Sequence, residues 1–226
     1  MRRILPILVL VIAGCAAPSR EPAAPAPSPA DGIAALPFER WDVTASHLEL
    51  RVYRDGPMQK LGHNHVVVSE ALDGFVKLRE PLEKSGFELA LRLESLVVDD
   101  PAARAAAGAD FAMPVPQKDR DATRHNMLGD EVLAAGRQDV LRLAADGLTD
   151  GTGAHKAQVR VSFRGEEHVV TVPFTVEING DGLAGQATFS LKHGDLGLKP
   201  FTVALGALKV RDDIEVRLRL EARRAS

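Results

Sequence analysis

Two histidines separated by one asparagine are the residues of this chain that most clearly could do chemistry. They lie in the segment KLGHNHVVVS, residues 60–69, in a chain with seven histidines and one cysteine. Side chains two positions apart on an extended segment point the same way, so His63 and His65 are predicted to share a face. Imidazole nitrogens bind metals, move protons or hydrogen-bond the polar head of a ligand.

A metal site here would need further ligands, because zinc and copper take three or four. Two histidines without a third at fixed spacing are a weak metal signal. The sequence therefore favours His63 and His65 as donors to the polar head of a ligand, such as a carbonyl or phosphate group, with no bound metal. Metal or haem handling is the alternative, with the ligand set His63, His65, His125 and His193.

Other catalytic patterns are absent from the sequence. It contains no Gly-x-Ser-x-Gly turn, phosphate-binding glycine loop, zinc-protease helix or paired cysteines. Clustered acids are interpreted as helix starts, where carboxylates cap free N–H groups: Asp99, Asp100, Asp119 and Asp121. No catalytic residue is predicted, and the alternative is a catalyst on a bound quinone or lipid with one histidine as general base. With a net charge of −3, few aromatic residues and no basic cluster, nucleic acid is not an expected partner.

The N-terminus has the pattern of an export signal. Two arginines precede the apolar run ILPILVLVIA, which is too short to span a bilayer. Gly14 and Cys15 follow the run directly, so the segment ends in VIAGC. This ending resembles the lipobox of bacterial lipoproteins, which implies cleavage of residues 1–14 and acylation of Cys15. Residues 15–36, rich in Ala, Pro and Ser, are predicted to be a disordered tether. Ala16 after the cysteine favours the outer membrane, so we expect a protein of the cell envelope that faces the periplasm.

Residues 37–226 are predicted to form one mainly β domain. Apolar and polar residues alternate through most of this region, and turn signals such as RGEE and NGDG separate the alternating segments. Such strands with short links favour an antiparallel sheet, closed into a barrel of about eight strands. Alanine-rich and charged sequence at about 100–135 interrupts the pattern and predicts short helices at 101–107 and 117–129. This insertion is expected to cover one end of the barrel.

The inward side chains of these strands allow two interpretations. Phe87, Leu89, Leu91, Phe174 and Phe189 would fill a solid core or line a cavity equally well. An eight-stranded barrel is just wide enough for either.

Three later segments, taken together, resemble the signatures of the YceI-like family. They are DATRHNMLGDEVLAAGRQDVLRL, VSFRGEEHVVTVPFTVEI and FSLKHGDLGLKPFTVALGALKVRDDIEVRLRLEA. The resemblance implies a lipocalin-like barrel that holds an elongated apolar ligand, typically a polyisoprenoid chain. The chain departs from the family pattern where Ala45 replaces a histidine and where Gly62 to His65 replace a glycine and phenylalanine segment. The implied apolar pocket residues are Leu50, Val52, Phe87, Leu89, Leu91, Met127, Phe174, Phe189 and Phe201.

The expected function is that of a periplasm-facing lipoprotein which carries or sequesters an isoprenoid lipid, quinone or similar molecule. It is not expected to be an enzyme or to require a cofactor beyond this bound lipid. The membrane is a partner through the acylated N-terminus, and the sequence is compatible with a homodimer. A ligand-free module for interactions in the envelope is a further alternative.

Overall fold

The computed structural model describes residues 38–151 and 154–225. The predicted signal peptide, 1–14, and the predicted tether, 15–36, lie outside the described residues. Among the residues that the structure describes, none belongs to a helix long and apolar enough to span a bilayer.

The described residues form twelve strands and two α-helices. The strands are β1 (Glu39–Asp55), β2 (His65–Ser69), β3 (Leu72–Leu78), β4 (Gly86–Arg92), β5 (Val97–Val98), β6 (Val140–Asp146), β7 (Leu148–Gly151), β8 (Ala154–Phe163), β9 (Glu166–Asn179), β10 (Gly182–Lys192), β11 (Thr202–Val203) and β12 (Leu208–Arg224). The helices are α1 (Pro101–Ala107) and α2 (Gln117–Leu128). Short 3₁₀ helices occur at Gln59–Leu61, Leu82–Lys84, Leu93–Ser95, Ala109–Phe111, His193–Leu196 and Ala204–Gly206.

Eight of these strands close into an antiparallel barrel. Their order is β1, β3, β4, β6, β8, β9, β10 and β12, and β12 pairs with β1 to complete the circle. The β1–β12 pairing extends from Trp41 opposite Arg224 to Asp55 opposite Lys209, with two bulges. The predicted lipocalin-like barrel of about eight strands is confirmed. Closure leaves no free edge among these eight strands.

The two ends of the barrel differ in how β1 is paired. Near its start, β1 pairs with β3 from Glu39 to Asp42, and further along it pairs with β2 from Leu48 to Val52. Both β3 and β2 therefore pair with the same edge of β1, one toward each end of the barrel. The end of the barrel where β1 terminates, at Asp55, is called the mouth end. The end where β1 begins is called the closed end.

A compact apolar cluster fills the closed end. Trp41 is 1% exposed and packs with Leu183 and Ala222, and Val76 and Val176 pack against this group. Burial of an indole ring removes a large apolar area from water and anchors three strands at once. The floor of the barrel is therefore solid.

The helical insertion lies at the mouth end, and both predicted helices are present. The helix predicted at 101–107 is α1, and the one predicted at 117–129 is α2, which ends one residue earlier. Asp100 caps α1 by accepting hydrogen bonds from the amides of Ala102 and Ala103 at 2.9 and 3.0 Å. This confirms Asp100 as a helix start.

The first part of the insertion packs outside the barrel, against β2. Val66 of β2, Ala107 and Phe111 form a buried apolar cluster there. Beneath it, Glu49 and Arg51 on the outer face of β1 are almost fully buried and form an ion pair of 2.6 Å. The outer face of β1 is therefore shielded from water at this place, because the insertion covers it.

Candidate functional site

A cavity of about 430 Å³ occupies the barrel between the solid floor and the mouth end. Its volume lies within the range of small-molecule sites, roughly 300–1,000 Å³. The lining is predominantly aliphatic, and all eight barrel strands contribute to it. Strand β3 contributes only its first residue, Leu72. The inward face of the barrel is therefore hollow in its upper half and packed in its lower half.

Eight of the nine residues implied as pocket residues line this cavity. They are Leu50, Val52, Phe87, Leu89, Leu91, Met127, Phe189 and Phe201. Alternation along the strands brings them together, because every second side chain of a barrel strand faces the interior.

Phe174 is the exception among the nine. Val170 and Val172 on the same face of β9 line the cavity, but Phe174 lies further toward the closed end. There it packs beside Ala157 and its ring contacts that of His155, with centroids 5.6 Å apart. Periodicity identified the correct face of the strand but not the depth at which the cavity ends.

Helix α2 forms part of the cavity wall. Thr123, Asn126 and Met127 of this helix reach the cavity. Two arginines attach the helix to the barrel: Arg124 donates to the carbonyl oxygens of Leu96 and Glu94 at 3.2 and 2.8 Å. Arg120 donates to the carbonyl of Asp99 at 3.2 Å. The insertion thus acts as a fixed lid on one side of the mouth.

His65 is a polar residue of the cavity wall that a buried carboxylate holds in place. It occupies the first position of β2, and its Nδ1 lies 2.6 Å from Oδ2 of Asp99. Asp99 has no solvent exposure, and its Oδ1 also accepts from the amide of Val66 at 3.0 Å. A buried carboxylate that holds one ring nitrogen fixes both the orientation and the tautomer of an imidazole. Asp99 is therefore a positioning residue for His65, and it is not a helix cap.

Arg104 of α1 supplies the charge that balances Asp99. Its Nη1 contacts Asp99 Oδ1 at 2.5 Å, and the guanidinium also donates to the carbonyls of Asn64, Phe111 and Met113 at 2.7 to 2.8 Å. Burial by itself raises the pKa of the Asp99 carboxyl. The hydrogen bonds from His65, from the Val66 amide and from Arg104 outweigh this effect, so the pKa lies below its ordinary value.

Two further histidines border the same cavity. The ring centroids of His63 and His65 are 6.3 Å apart, and both residues line the cavity. His193 follows β10, is 7% exposed and holds its Nδ1 2.8 Å from the carbonyl oxygen of Asp212. Carboxylate and carbonyl oxygens are acceptors, so Nδ1 of His65 and of His193 donates. The nitrogen left for a ligand is Nε2 in both rings.

Because Nδ1 is occupied, each imidazole can contact a ligand only through Nε2, and the protonation state of the ring decides which ligand groups fit. With Nδ1 protonated, Nε2 of a neutral ring accepts a hydrogen bond, so it suits a ligand hydroxyl group. The charged ring donates from Nε2 and suits a carbonyl or phosphate oxygen.

The four histidines of the metal alternative are not brought together. His125 borders a separate shallow depression on the outside of α2, beside Asp121 and Arg124. Within residues 38–151 and 154–225, no three histidine, cysteine, aspartate or glutamate side chains are grouped closely enough to hold a metal ion. Asp121 accepts from Gln117 at 2.7 Å and does not start α2. Asp119 does lie in the first turn of that helix.

Asp99 and Arg104 are the site residues that sequence reasoning missed. One signal in the sequence could have identified Asp99. A helix needs one cap, and of the two consecutive acids before Pro101 only Asp100 serves as the cap. The other acid, Asp99, is therefore free for another partner. Its backbone is left-handed, with φ of 54°, and its side chain accepts a hydrogen bond from β2.

Comparison with known proteins gives a family and a fold. The sequence model of the YceI-like domain matches residues 42–222. The crystal structure of BcnA from Burkholderia cenocepacia superposes with a TM-score of 0.55 at 12% identity, covering 78% of this chain and 95% of that one. The YceI protein of Campylobacter jejuni superposes with a TM-score of 0.48 at 9% identity, covering 69% and 82%. A search of curated protein sequences found no match.

Proposed function

Because this chain belongs to the YceI-like family and its barrel is of the ligand-binding type, we propose that it binds an elongated apolar molecule in the cavity. The ligand class is a polyisoprenoid, a quinone or a similar lipid, held for carriage or sequestration without chemical change. The observation that carries the proposal is the cavity of about 430 Å³ with its predominantly aliphatic wall, enclosed by a closed barrel.

The energetics favour a chain-like ligand. Each CH₂ group removed from water contributes about 0.8 kcal/mol, and a prenyl unit adds several such carbons. Ordering a long chain and losing its overall freedom oppose this gain, so several buried units are needed for useful affinity. The rigid barrel wall lowers the cost on the protein side, because the cavity is already formed.

The polar head of the ligand is proposed to lie against the histidines at the mouth end. His65 is the principal contact, since Asp99 fixes its ring, and His63 and His193 lie on the same border of the cavity. A hydroxyl, carbonyl or phosphate group would hydrogen-bond to Nε2 while the apolar chain runs toward the floor. The head group then stays near water and the chain is buried.

The proposed function is tested by identifying what the protein holds. Purified from its own host, it is expected to release a prenyl lipid on organic extraction, detected by mass spectrometry at up to one molecule per barrel. His65→Ala should reduce the amount of retained lipid about tenfold, because one charge-assisted or neutral hydrogen bond to the head group is lost. The surface variant His47→Ala, which loses only the exposed contact with Glu70, is the matched control.

Other results of the extraction would contradict the proposal. An empty barrel that gains no stability from added geranylgeraniol would favour a ligand-free interaction module. A stoichiometric metal or haem, lost in His65→Ala, would favour metal handling. A lipid that is chemically altered on incubation would replace carriage by catalysis.

The cell envelope is the proposed location, with the acyl group of Cys15 in the outer membrane and the barrel in the periplasm. Cys15→Ser is then expected to accumulate as an uncleaved, unacylated precursor, measured by intact mass and by incorporation of labelled fatty acid. Ser19→Ala, four residues later, is the control and should be processed normally. Normal cleavage of the Cys15→Ser chain would overturn the lipoprotein assignment.

A further inference from the structure

Two loops at the mouth end carry exposed apolar side chains that the barrel itself does not use. The mouth loops are residues 56–64, which join β1 to β2, and residues 202–208, which comprise β11, the turn that follows it and the first residue of β12. We propose that the mouth loops insert into the surface of an anionic lipid bilayer, so that the cavity opens toward the membrane.

The mouth loops present three large apolar side chains to solvent. Leu205 is fully exposed, Leu61 is 70% exposed and Met58 is 43% exposed. Leu205 also has a left-handed backbone, with φ of 56° and ψ of 34°, a conformation that is costly for a branched side chain. Exposure and strain together are unfavourable for the isolated protein, and neither is needed to close the barrel.

The two loops contact each other and form one continuous surface. The amide of Met58 donates to the carbonyl oxygen of Ala207 at 2.8 Å. Gly56 lies so close to Ala207 that a Cβ atom there would be 2.7 Å from the carbonyl oxygen, and Gly62 lies against the side chain of Leu208. The backbone segments that carry the apolar side chains are therefore held next to each other.

This surface is continuous with the border of the cavity. Gly62 and His63 of the first loop and Leu208 of the second line the cavity, as does Lys209 directly after it. A ligand that leaves past these residues therefore passes beside Leu61 and Leu205. If the loops lie in a bilayer, an apolar ligand transfers between cavity and membrane without crossing bulk water.

The charge around the mouth loops favours anionic lipid. Residues 54–64 and 197–211 carry five Lys or Arg side chains and one acid, and two further acids, Asp212 and Asp213, follow directly. The region is therefore net positive, whereas the whole chain has a net charge of −3. Lys60 and Lys199 are exposed, and Lys209 forms an ion pair with Asp55 in which Nζ lies 3.1 Å from Oδ2. Basic residues beside an apolar patch are the pattern of segments that bind at the interface of anionic membranes.

A bilayer fits this surface better than a protein partner does. A stable protein interface buries about 1,200–2,000 Å², supplied by 20–30 residues on each side. Three apolar side chains on two loops supply far less, but they suffice for shallow insertion when electrostatic attraction assists. The docking requires only the mouth loops, and its use in loading the cavity rests on the function proposed above.

The test follows one dye at each end of the barrel. In the mature chain, residues 15–226, with Cys15→Ser, an environment-sensitive dye is attached to the cysteine of Gln59→Cys at the mouth or of Glu177→Cys near the closed end. Both native residues are exposed, and neither substitution removes an apolar side chain. With phosphatidylglycerol vesicles, we expect the dye on Gln59→Cys to shift to the blue and to be quenched by brominated acyl chains. The dye on Glu177→Cys should remain in water.

A second substitution separates docking from folding. Leu205→Gly removes an apolar tip and relieves the left-handed strain, so the barrel should be at least as stable as before. The equilibrium constant for insertion, measured with the dye on Gln59→Cys, should nevertheless fall about tenfold, because one leucine side chain is no longer buried in the bilayer. Vesicles of neutral phosphatidylcholine, or high salt, should weaken insertion further.

Three results would overturn the docking. They are equal insertion of both dyes, no insertion of either, and a blue shift of the mouth dye that depends on protein concentration without vesicles, which would assign the surface to a second copy of the chain. The lipid extracted from the host protein is measured separately. A filled cavity with no insertion would reject docking alone, and insertion with an empty cavity would reject carriage alone.

Discussion

Asp99→Ala is expected to lower the free energy of unfolding by about 3–5 kcal/mol, the range found when one partner of a buried ion pair is removed. The substitution leaves the guanidinium of Arg104 buried without its counter-charge, and it frees the amide of Val66 and Nδ1 of His65. These groups join α1 to β2, so the loss should loosen the insertion over the outer face of the barrel as well as the orientation of His65.

Urea unfolding followed by circular dichroism measures this change. The matched control is Asp73→Ala, which removes a carboxylate bound to Arg92 at 3.0 Å with both side chains mostly exposed. Exposed pairs of this kind contribute about 0–1 kcal/mol. If Asp99→Ala cost no more than Asp73→Ala, the three backbone carbonyls around Arg104 would be sufficient to hold it, and the role assigned to Asp99 would be wrong.

The lowered pKa of Asp99 predicts how the stability lost on its substitution depends on pH. The pKa of Asp99 in the folded protein is lowered from its ordinary value, because the groups that hydrogen-bond to it outweigh its burial. A lowered folded-state pKa contributes stability above the unfolded-state pKa, about 3.9, and this contribution is lost as pH falls through the folded-state value. The gap in stability between the unmodified chain and Asp99→Asn should therefore be widest at neutral pH and should shrink below about pH 4.

The strands and helices could be predicted because local patterns determine them. Alternation in β8, β9, β10 and β12 identified each strand and its inner face, and the interruption at about 100–135 identified both helices. The hollow could not be found in this way. The inward residues of a filled barrel and of an empty one show the same period of two. The position of the cavity is determined by the packing of Trp41 at the floor and of α2 at the lid.

The polar part of the site depended on contacts between residues far apart in sequence. His63 and His65 were identified as a pair on one face, but their partners come from other elements: Asp99 precedes α1 and His193 follows β10. No short spacing in the sequence links these positions. His125 shows the reverse error, because its residue type suggested a ligand while its helix face turns it away from the cavity.

The second large effect is expected from filling the cavity at β9, where neighbouring valines face opposite sides of the wall. Val170 lines the cavity, whereas Val169 is 59% exposed on the outside. Val170→Trp should weaken ligand binding about a hundredfold, because the indole ring takes space that would otherwise hold several CH₂ groups of the ligand. Val172→Trp, one step deeper, should add to this loss by shortening the slot further.

Retained stability would separate a blocked cavity from a damaged fold. Overpacking a solid core costs about 1–3 kcal/mol, but an added ring that enters empty space buries apolar area without displacing its neighbours. Val170→Trp should therefore unfold at the same urea concentration as Val169→Trp or above it, while it retains far less extracted lipid and binds geranylgeraniol more weakly. Equal ligand binding by Val170→Trp and Val169→Trp would mean that the ligand lies elsewhere, and a large loss of stability in Val170→Trp alone would mean that this part of the barrel is packed solid.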